Sequence, residues 1–254
     1  GGVGKTRLAA HVARAVSDAF AGATYFVPLA GVADADHLVS SLVLMLDVHP
    51  SAGETPWMAV TRHLRALGAP LLLILDNFEH IASAAVEVAA LIERCERVKI
   101  LASSRARLNV SAEREYHVLP RVIPDGTRVR RAATVADAPA VRLFVERGRA
   151  ARAGFALTDE NAGAIADICL ALDGLPLAIE LAAARVKMIP PEALLARVAG
   201  KRLSLDGGAR DRPARQQTLR ATIDWGYELL TPAEQRLFRR LSVFVRGWTL
   251  EGAE

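Results

Sequence analysis

The stretch that most constrains this chain is "APLLLILDNFEH". Five consecutive apolar residues, Leu71 to Leu75, follow Pro70 and end at Asp76. A run this short and this apolar, set off by a proline, predicts a parallel strand covered on both faces. An aspartate at the C-terminal end of such a strand stands where open α/β sheets place their ligands. Read as a surface feature instead, Asp76 ends a strand and caps the helix that follows.

A second stretch gives Asp76 a purpose. The chain opens "GGVGKTRLAA". A phosphate loop is written G-x-x-x-x-G-K-[ST]. Gly4, Lys5 and Thr6 match its end, and Gly1, Gly2 and Val3 its middle, so the chain is expected to begin inside the motif. Glycines let successive backbone N–H groups turn toward one anion. Lys5 would reach the β- and γ-phosphates, and Thr6 would offer its hydroxyl to Mg²⁺. Arg7 is counted with the nucleotide-binding residues, as it directly follows the loop. Asp76 would hold the Mg²⁺ water shell, so Thr6 and Asp76 are the expected metal side chains. A bare GKT arises by chance before ordinary helices; its pairing with a strand-ending aspartate makes the nucleotide reading. The helix after Lys5 is expected to expose Arg7, His11, Arg14 and Asp18, to bury Leu8, Val12, Ala15 and Val16, and to close at Gly22.

A third strand is expected near 98–103, ending in Ser103, Ser104 and Arg105. Arg105 is a candidate sensor of a terminal phosphate, or else a loop arginine. The four lysines, Lys5, Lys99, Lys187 and Lys201, include none in the [NT]-K-x-D pattern that reads guanine, so ATP and ADP are favoured. Brisk ATPases commonly carry a glutamate straight after the strand aspartate. Here that residue is Asn77, which can orient water but not take its proton. Glu79 and His80 lie just beyond. Asp76, Glu79 and Arg105 are the catalytic candidates, and slow hydrolysis suited to a switch is expected.

Strands and helices alternate over 1–120: strands near 25–29, 71–76, 98–103 and in "EYHVLP", and helices near 34–46, 56–67 and 82–95. Such alternation predicts a parallel sheet with helices on both faces. The pattern lapses over 121–137, where Pro124-Asp125-Gly126 forms a turn and Arg128, Arg130 and Arg131 mark a polar connector. Beyond it the chain reads as helical. Expected helices lie in 138–153, in 158–174 with a cap at Thr158, in 175–188 with Pro176 in the first turn, and in 190–200. After a loop at 204–213, a helix spans 216–230. Thr231 to Glu234 then reads as a capping box opening another helix to about Leu241.

Composition agrees with this reading and excludes others. Hydrophobic residues are 52% of the 254 and aromatics only 5%, so the core must be built from Ala, Leu and Val. The net charge is +4, carried by 28 Arg and only 4 Lys. The arginines are spread from Arg7 to Arg246, which describes a solvated surface better than a nucleic-acid footprint. Cys95 and Cys169 have no metal-ligand spacing, and a reduced cytoplasmic setting is expected. No stretch reaches the roughly 20 apolar residues of a membrane span, so no membrane partner is expected.

Together Gly1–Thr6, "LLLILDNFEH", "ILASSR", "DGLPLAIELAAARV" and the segment from "RQQTLRATIDWGYELL" to the end resemble the NB-ARC-type (STAND) signalling P-loop ATPases. The closest look is of their bacterial LuxR-type and streptomycete antibiotic-regulator branches. The resemblance covers essentially the whole chain, and Gly174-Leu175-Pro176-Leu177 is its most discriminating part. It implies an α/β fold: a P-loop NTPase parallel sheet with its first strand missing, then a helical bundle and the start of a winged-helix domain. The expected limits are 1–120 for the nucleotide-binding domain and 121–137 for the connector. The four-helix bundle takes 138–200 and the truncated winged helix 201–254. It implies Pro176 against the adenine, ADP holding a closed state, and ATP opening it for self-association. DNA would be bound only through a domain outside this chain. The strand expected before Gly1 is central in that family's sheet, so its loss is expected to remove the middle pairing and the anchor of Lys5. The family's winged-helix histidine has no counterpart, since the last histidine is His117.

Two other functions fit parts of the sequence. A small-molecule kinase would share the phosphate loop but leaves the GLPL segment unexplained. A helical interaction scaffold with a degenerate nucleotide site explains the helical half and makes Lys5 dispensable.

Overall fold

A computed structural model describes residues 2–21, 23–32, 34–123, 131–200, 220, 223–224, 227 and 230–244. The expectations for Gly1, Gly22, the turn and arginines at 124–130, the loop at 204–213, most of the 216–230 helix and the end of the chain lie outside the described residues. The chain divides into two compact units: Lys5–His117, and Gly1–Gly4 together with Val118–Glu254.

In the first unit, helix α1 (Lys5–Ala15) leads through a 3-10 turn to β1 (Thr24–Pro28). Helices α2 (Ala35–Met45) and α3 (Pro56–Ala66) follow, then β2 (Leu71–Asp76), α4 (Ala85–Arg94) and β3 (Val98–Ala102). The sheet is parallel, in the order β1-β2-β3. Parallel neighbours need long crossovers, and α2 with α3 supplies the first and α4 the second. All six residues of β2 are buried, as its apolar run predicted. Side chains alternate along a strand. Leu71, Leu73 and Leu75 join Leu38, Leu42, Val60, Leu64 and Val88 in one core. Leu72 and Ile74 point the other way, into a smaller core with Ala9 and Ala13 of α1.

Several local expectations are corrected. The buried side of α1 is Ala9 and Ala13, not the face with Leu8 and Ala15; Leu8 is exposed. Small residues let the helix lie close to β2, and the larger Val16 and Phe20 pack only at the margin of that core. The polar stripe Arg7, His11, Arg14 and Asp18 is exposed as expected. The segment "EYHVLP" is not a strand. Among the described residues no strand pairs with it, and Tyr116 and Leu119 stay exposed. The helix expected from Ala82 starts instead as a 3-10 segment, Phe78–Ala84, broken at Ile81. The expected loss of the middle pairing does not occur among the described strands, which form an unbroken ladder centred on β2.

The second unit is helical among its described residues. The helices are α5 (Ala132–Val135), α6 (Pro139–Ala151), α7 (Asp159–Ala171), α8 (Pro176–Ala183), α9 (Pro191–Ala199) and α10 (Pro232–Leu241). The short α5 interrupts the stretch expected to be a connector. Prolines start α6, α8, α9 and α10, where the missing N–H costs nothing. Thr158 caps α7 in a reciprocal box with Asn161, and Thr231 caps α10 in one with Glu234. Val141, Phe144, Ile165, Ile168, Ile179 and Leu194 share one core. Glu180 is buried in α8 and meets the Arg147 guanidinium at 3.3 Å. No helix among the described residues is long and apolar enough to cross a membrane.

Candidate functional site at the strand ends

The site follows from strand parity. Asp76 has the parity of Leu72 and Ile74, so its side chain leaves β2 on the α1 side. Leu75 pairs with Ala102, which sets Asp76 level with Ser103 just past β3. Ser103 has the parity of Leu101, which also packs with α1, so both polar side chains emerge together. Thr6, in the first turn of α1, meets them there. Its hydroxyl lies 2.9 Å from Asp76 Oδ1 and 3.0 Å from Oδ2. The Ser103 hydroxyl donates to Asp76 Oδ1 and accepts the Asn77 N–H at 3.0 Å. Asp76 is only 4% exposed. These hydroxyls fix the direction of its carboxylate.

Asn77 has φ 65° and ψ 46°, the left-handed region. Asparagine is among the few residues other than glycine that enter it readily. Asn77 therefore has a backbone reason to stand after Asp76, apart from any handling of water. The turn it makes sends the chain back so that the Phe78 N–H bonds the Ser103 carbonyl at 2.8 Å, tying the end of β2 to the end of β3.

Three charged side chains complete the cluster. Glu79 lies 3.2 Å from Arg105 Nε, with the two side chains 8% and 24% exposed. Neither oxygen of Glu79 takes a hydrogen bond among the described residues. Lys5 is half-buried. Burial pushes its ammonium below the usual lysine range; Glu79 and Asp76 act against that shift and Arg105 adds to it. Lys5 therefore has charged neighbours in Glu79, Asp76 and Arg105.

The remaining residues singled out in the sequence fall as follows. Gly2 and Gly4 have φ of 81° and 99°, conformations that side-chain-bearing residues rarely adopt. In the helical unit, the Leu177 N–H, next to Pro176 in the first turn of α8, donates to the Gly2 carbonyl at 3.2 Å. Val3 is partly buried, Arg7 is exposed, and Gly1 is outside the described residues. Ser103, expected only as one of the polar residues ending the third strand, is the residue that orients Asp76. Its signal was the register of β3 on β2, which a single sequence does not state.

A buried carboxylate oriented by hydroxyls is a hard-oxygen donor set, which fits Mg²⁺. Among the described residues no group of three or more His, Cys, Asp or Glu side chains converges to hold a metal. The fit is thus to a cation that draws much of its shell from water and from its ligand, as Mg²⁺ does at phosphate sites.

The chain is similar to three groups of curated proteins. It is 36% identical over 251 residues to a putative HTH-type transcriptional regulator of Mycobacterium tuberculosis, which covers 98% of this chain and 26% of that protein. It is 32% identical over 256 residues to an uncharacterized protein of the same organism, covering all of this chain and 61% of the relative. It is 29% identical over 252 residues to the regulatory protein AfsR of Streptomyces coelicolor, covering 96% of this chain and 23% of AfsR. The chain thus spans about a quarter of the regulators it matches. No protein-family profile matches it.

Proposed function

We propose that this chain is the ADP- and ATP-binding switch module of a transcriptional regulator, with slow ATP hydrolysis and distinct diphosphate and triphosphate states. The observation that carries the reading is the meeting of Thr6 with Asp76 beside Lys5. It joins the two sequence stretches read as a phosphate loop and a metal-holding strand end. The names of the relatives support the regulatory setting.

In this reading the backbone N–H groups around Gly2 and Gly4 and the start of α1 face the phosphates. Lys5 pairs with them. Thr6 and Asp76 hold Mg²⁺, which when bound would neutralise phosphate charge. Ser103 keeps the Asp76 carboxylate turned toward Thr6. Arg105 takes the terminal phosphate, and Glu79 orients the attacking water. Pro176 is assigned to the adenine by the resemblance, and its test is a Pro176→Ala change in nucleotide affinity. Self-association in the ATP state, and DNA contact through a domain outside this chain, belong to the same proposal.

The test is made on the full-length protein. Nucleotide released from the purified protein is identified by chromatography, beside a Lys5→Ala variant. The expected result is stoichiometric ADP, lost in the variant. A protein that carries no nucleotide, and binds neither added ADP nor ATP, overturns the switch reading and leaves the helical scaffold.

A further inference from the structure

The contact between Glu79 and Arg105 is a charge pair without good hydrogen-bond geometry. Arg105 Nε stands 3.2 Å from Glu79 Oε1, yet neither Glu79 oxygen accepts a hydrogen bond among the described residues. The carboxylate is more than nine-tenths buried. A guanidinium presents a planar fork of donors that matches a phosphate in two parallel bonds. Glu79 meets the guanidinium at Nε by charge, without a hydrogen bond to either of its own oxygens among the described residues. A phosphate offers Arg105 the better geometry, but taking it leaves a buried carboxylate behind, and such a group is costly to strand. Lys5 also feels the charge of Glu79, and the same phosphates would draw on Lys5.

We infer that Glu79 competes with the terminal phosphate of a nucleoside triphosphate for Arg105, and so sets how strongly the site prefers ATP to ADP. This rests on the nucleotide reading above. ADP lacks the γ-phosphate and leaves Arg105 on Glu79. ATP must displace that pairing. Glu79 therefore weakens ATP binding selectively, and it does so through Arg105 rather than through its own charge on the phosphate.

The experiment measures the affinities of ADP and of the β,γ-imido analogue of ATP, both with Mg²⁺, by calorimetry on the full-length protein. It compares the unmutated protein, Glu79→Gln, Arg105→Ala and the double variant. Glu79→Gln is expected to raise the triphosphate-to-diphosphate affinity ratio roughly tenfold, about the worth of one charge-assisted hydrogen bond. Arg105→Ala is expected to lower it by a similar factor, and the double variant to match Arg105→Ala. Circular dichroism checks folding. If Glu79→Gln does not fold, Glu79→Asp, which draws the carboxylate back, is expected to shift the ratio in the same direction. An unchanged ratio in the folded glutamate variants overturns the inference. So does an equal rise with and without Arg105, which would mean direct repulsion by Glu79. Failure of the unmutated protein to bind either nucleotide overturns the nucleotide reading itself.

Discussion

The Thr6 hydroxyl lies within 3.0 Å of both carboxylate oxygens of Asp76, although 70 positions separate the two residues. Removing that hydroxyl strips a donor from a buried carboxylate. Thr6→Ala is expected to cost about 1.5–3 kcal/mol of stability, the range for hydrogen bonds to charged groups. Thr6→Ser keeps the donor and is expected to restore most of the loss. Asp76→Asn keeps the shape and loses the charge. It is expected to weaken the Mg²⁺-dependent part of nucleotide affinity roughly 10–100-fold, as loss of a positioned metal partner does. Thermal melts and titrations with and without Mg²⁺ check the three variants. A Thr6→Ala protein as stable as the unmutated one would contradict the role given to this pair.

Lys5 predicts a proton linkage. Burial holds its ammonium below the usual value of 10.5, against the pull of Glu79 and Asp76 and with the help of Arg105. A bound phosphate would raise it again. In the alkaline range between those two values, nucleotide binding is expected to take up protons, and affinity to fall as pH rises through the value of the free site. The sign for folding is opposite to that of a partnered lysine. The charged form opposes the fold, so this cost is present at neutral pH and is relieved as pH rises toward 10.5. Calorimetry in alkaline buffers of different ionisation enthalpy reads the uptake. Lys5→Arg, which stays charged throughout, should abolish it.

Much of this site was legible because its parts are local. Leu71 to Asp76 announced a doubly covered strand with an acid at its end, and Gly4 to Thr6 announced a turn into a helix. What the sequence concealed was register. The packing of Ala9 and Ala13 on Leu72 and Ile74, rather than of Leu8 and Ala15, depends on how closely α1 approaches β2. The level placement of Ser103 beside Asp76 depends on Leu75 pairing with Ala102. The "EYHVLP" segment has strand-like alternation, but a strand exists only where a neighbour accepts its hydrogen bonds.

Asn77 shows how a chemical reading can overlook a backbone one. Its φ of 65° makes the residue after Asp76 a conformational requirement. Asn77→Gly keeps the left-handed turn and is expected to lose less stability than Asn77→Ala. Asn77→Ala is expected to cost about 1–2 kcal/mol, the penalty of the left-handed region for an ordinary side chain. Equal melting temperatures for the alanine and glycine variants would count against the backbone account.

The two cysteines are expected to be inert in the folded protein. Burial pushes the Cys169 thiol up to about 12 and raises that of Cys95, with Arg65 and Arg94 pulling the latter back. Only the thiolate reacts. Alkylation at mildly alkaline pH should be slow at both sites in the native state and fast after denaturation. Mass spectrometry of each modified peptide makes the measurement. The stability that Cys169 contributes by staying protonated is present below the ordinary thiol value of 9.0 and is lost as pH rises through about 12.

Gly174 closes the turn between α7 and α8 with φ 64°, and a Cβ there would collide with the backbone carbonyl of Arg121. That carbonyl cannot retreat freely, because the Arg121 N–H donates to the Gly174 carbonyl at 3.0 Å. Strain and collision therefore act together. Gly174→Ala is expected to cost roughly 3 kcal/mol, the upper end for a forced backbone conformation. The preceding residue, Asp173, already holds φ 51° without being glycine, so the requirement at 174 is for space as much as for dihedral freedom. Gly174→Asn tests that distinction by melting temperature. Asparagine tolerates the left-handed region but still carries the Cβ, so a loss as large as that of alanine is expected, and near-native stability would show that the collision with Arg121 is relieved at little cost.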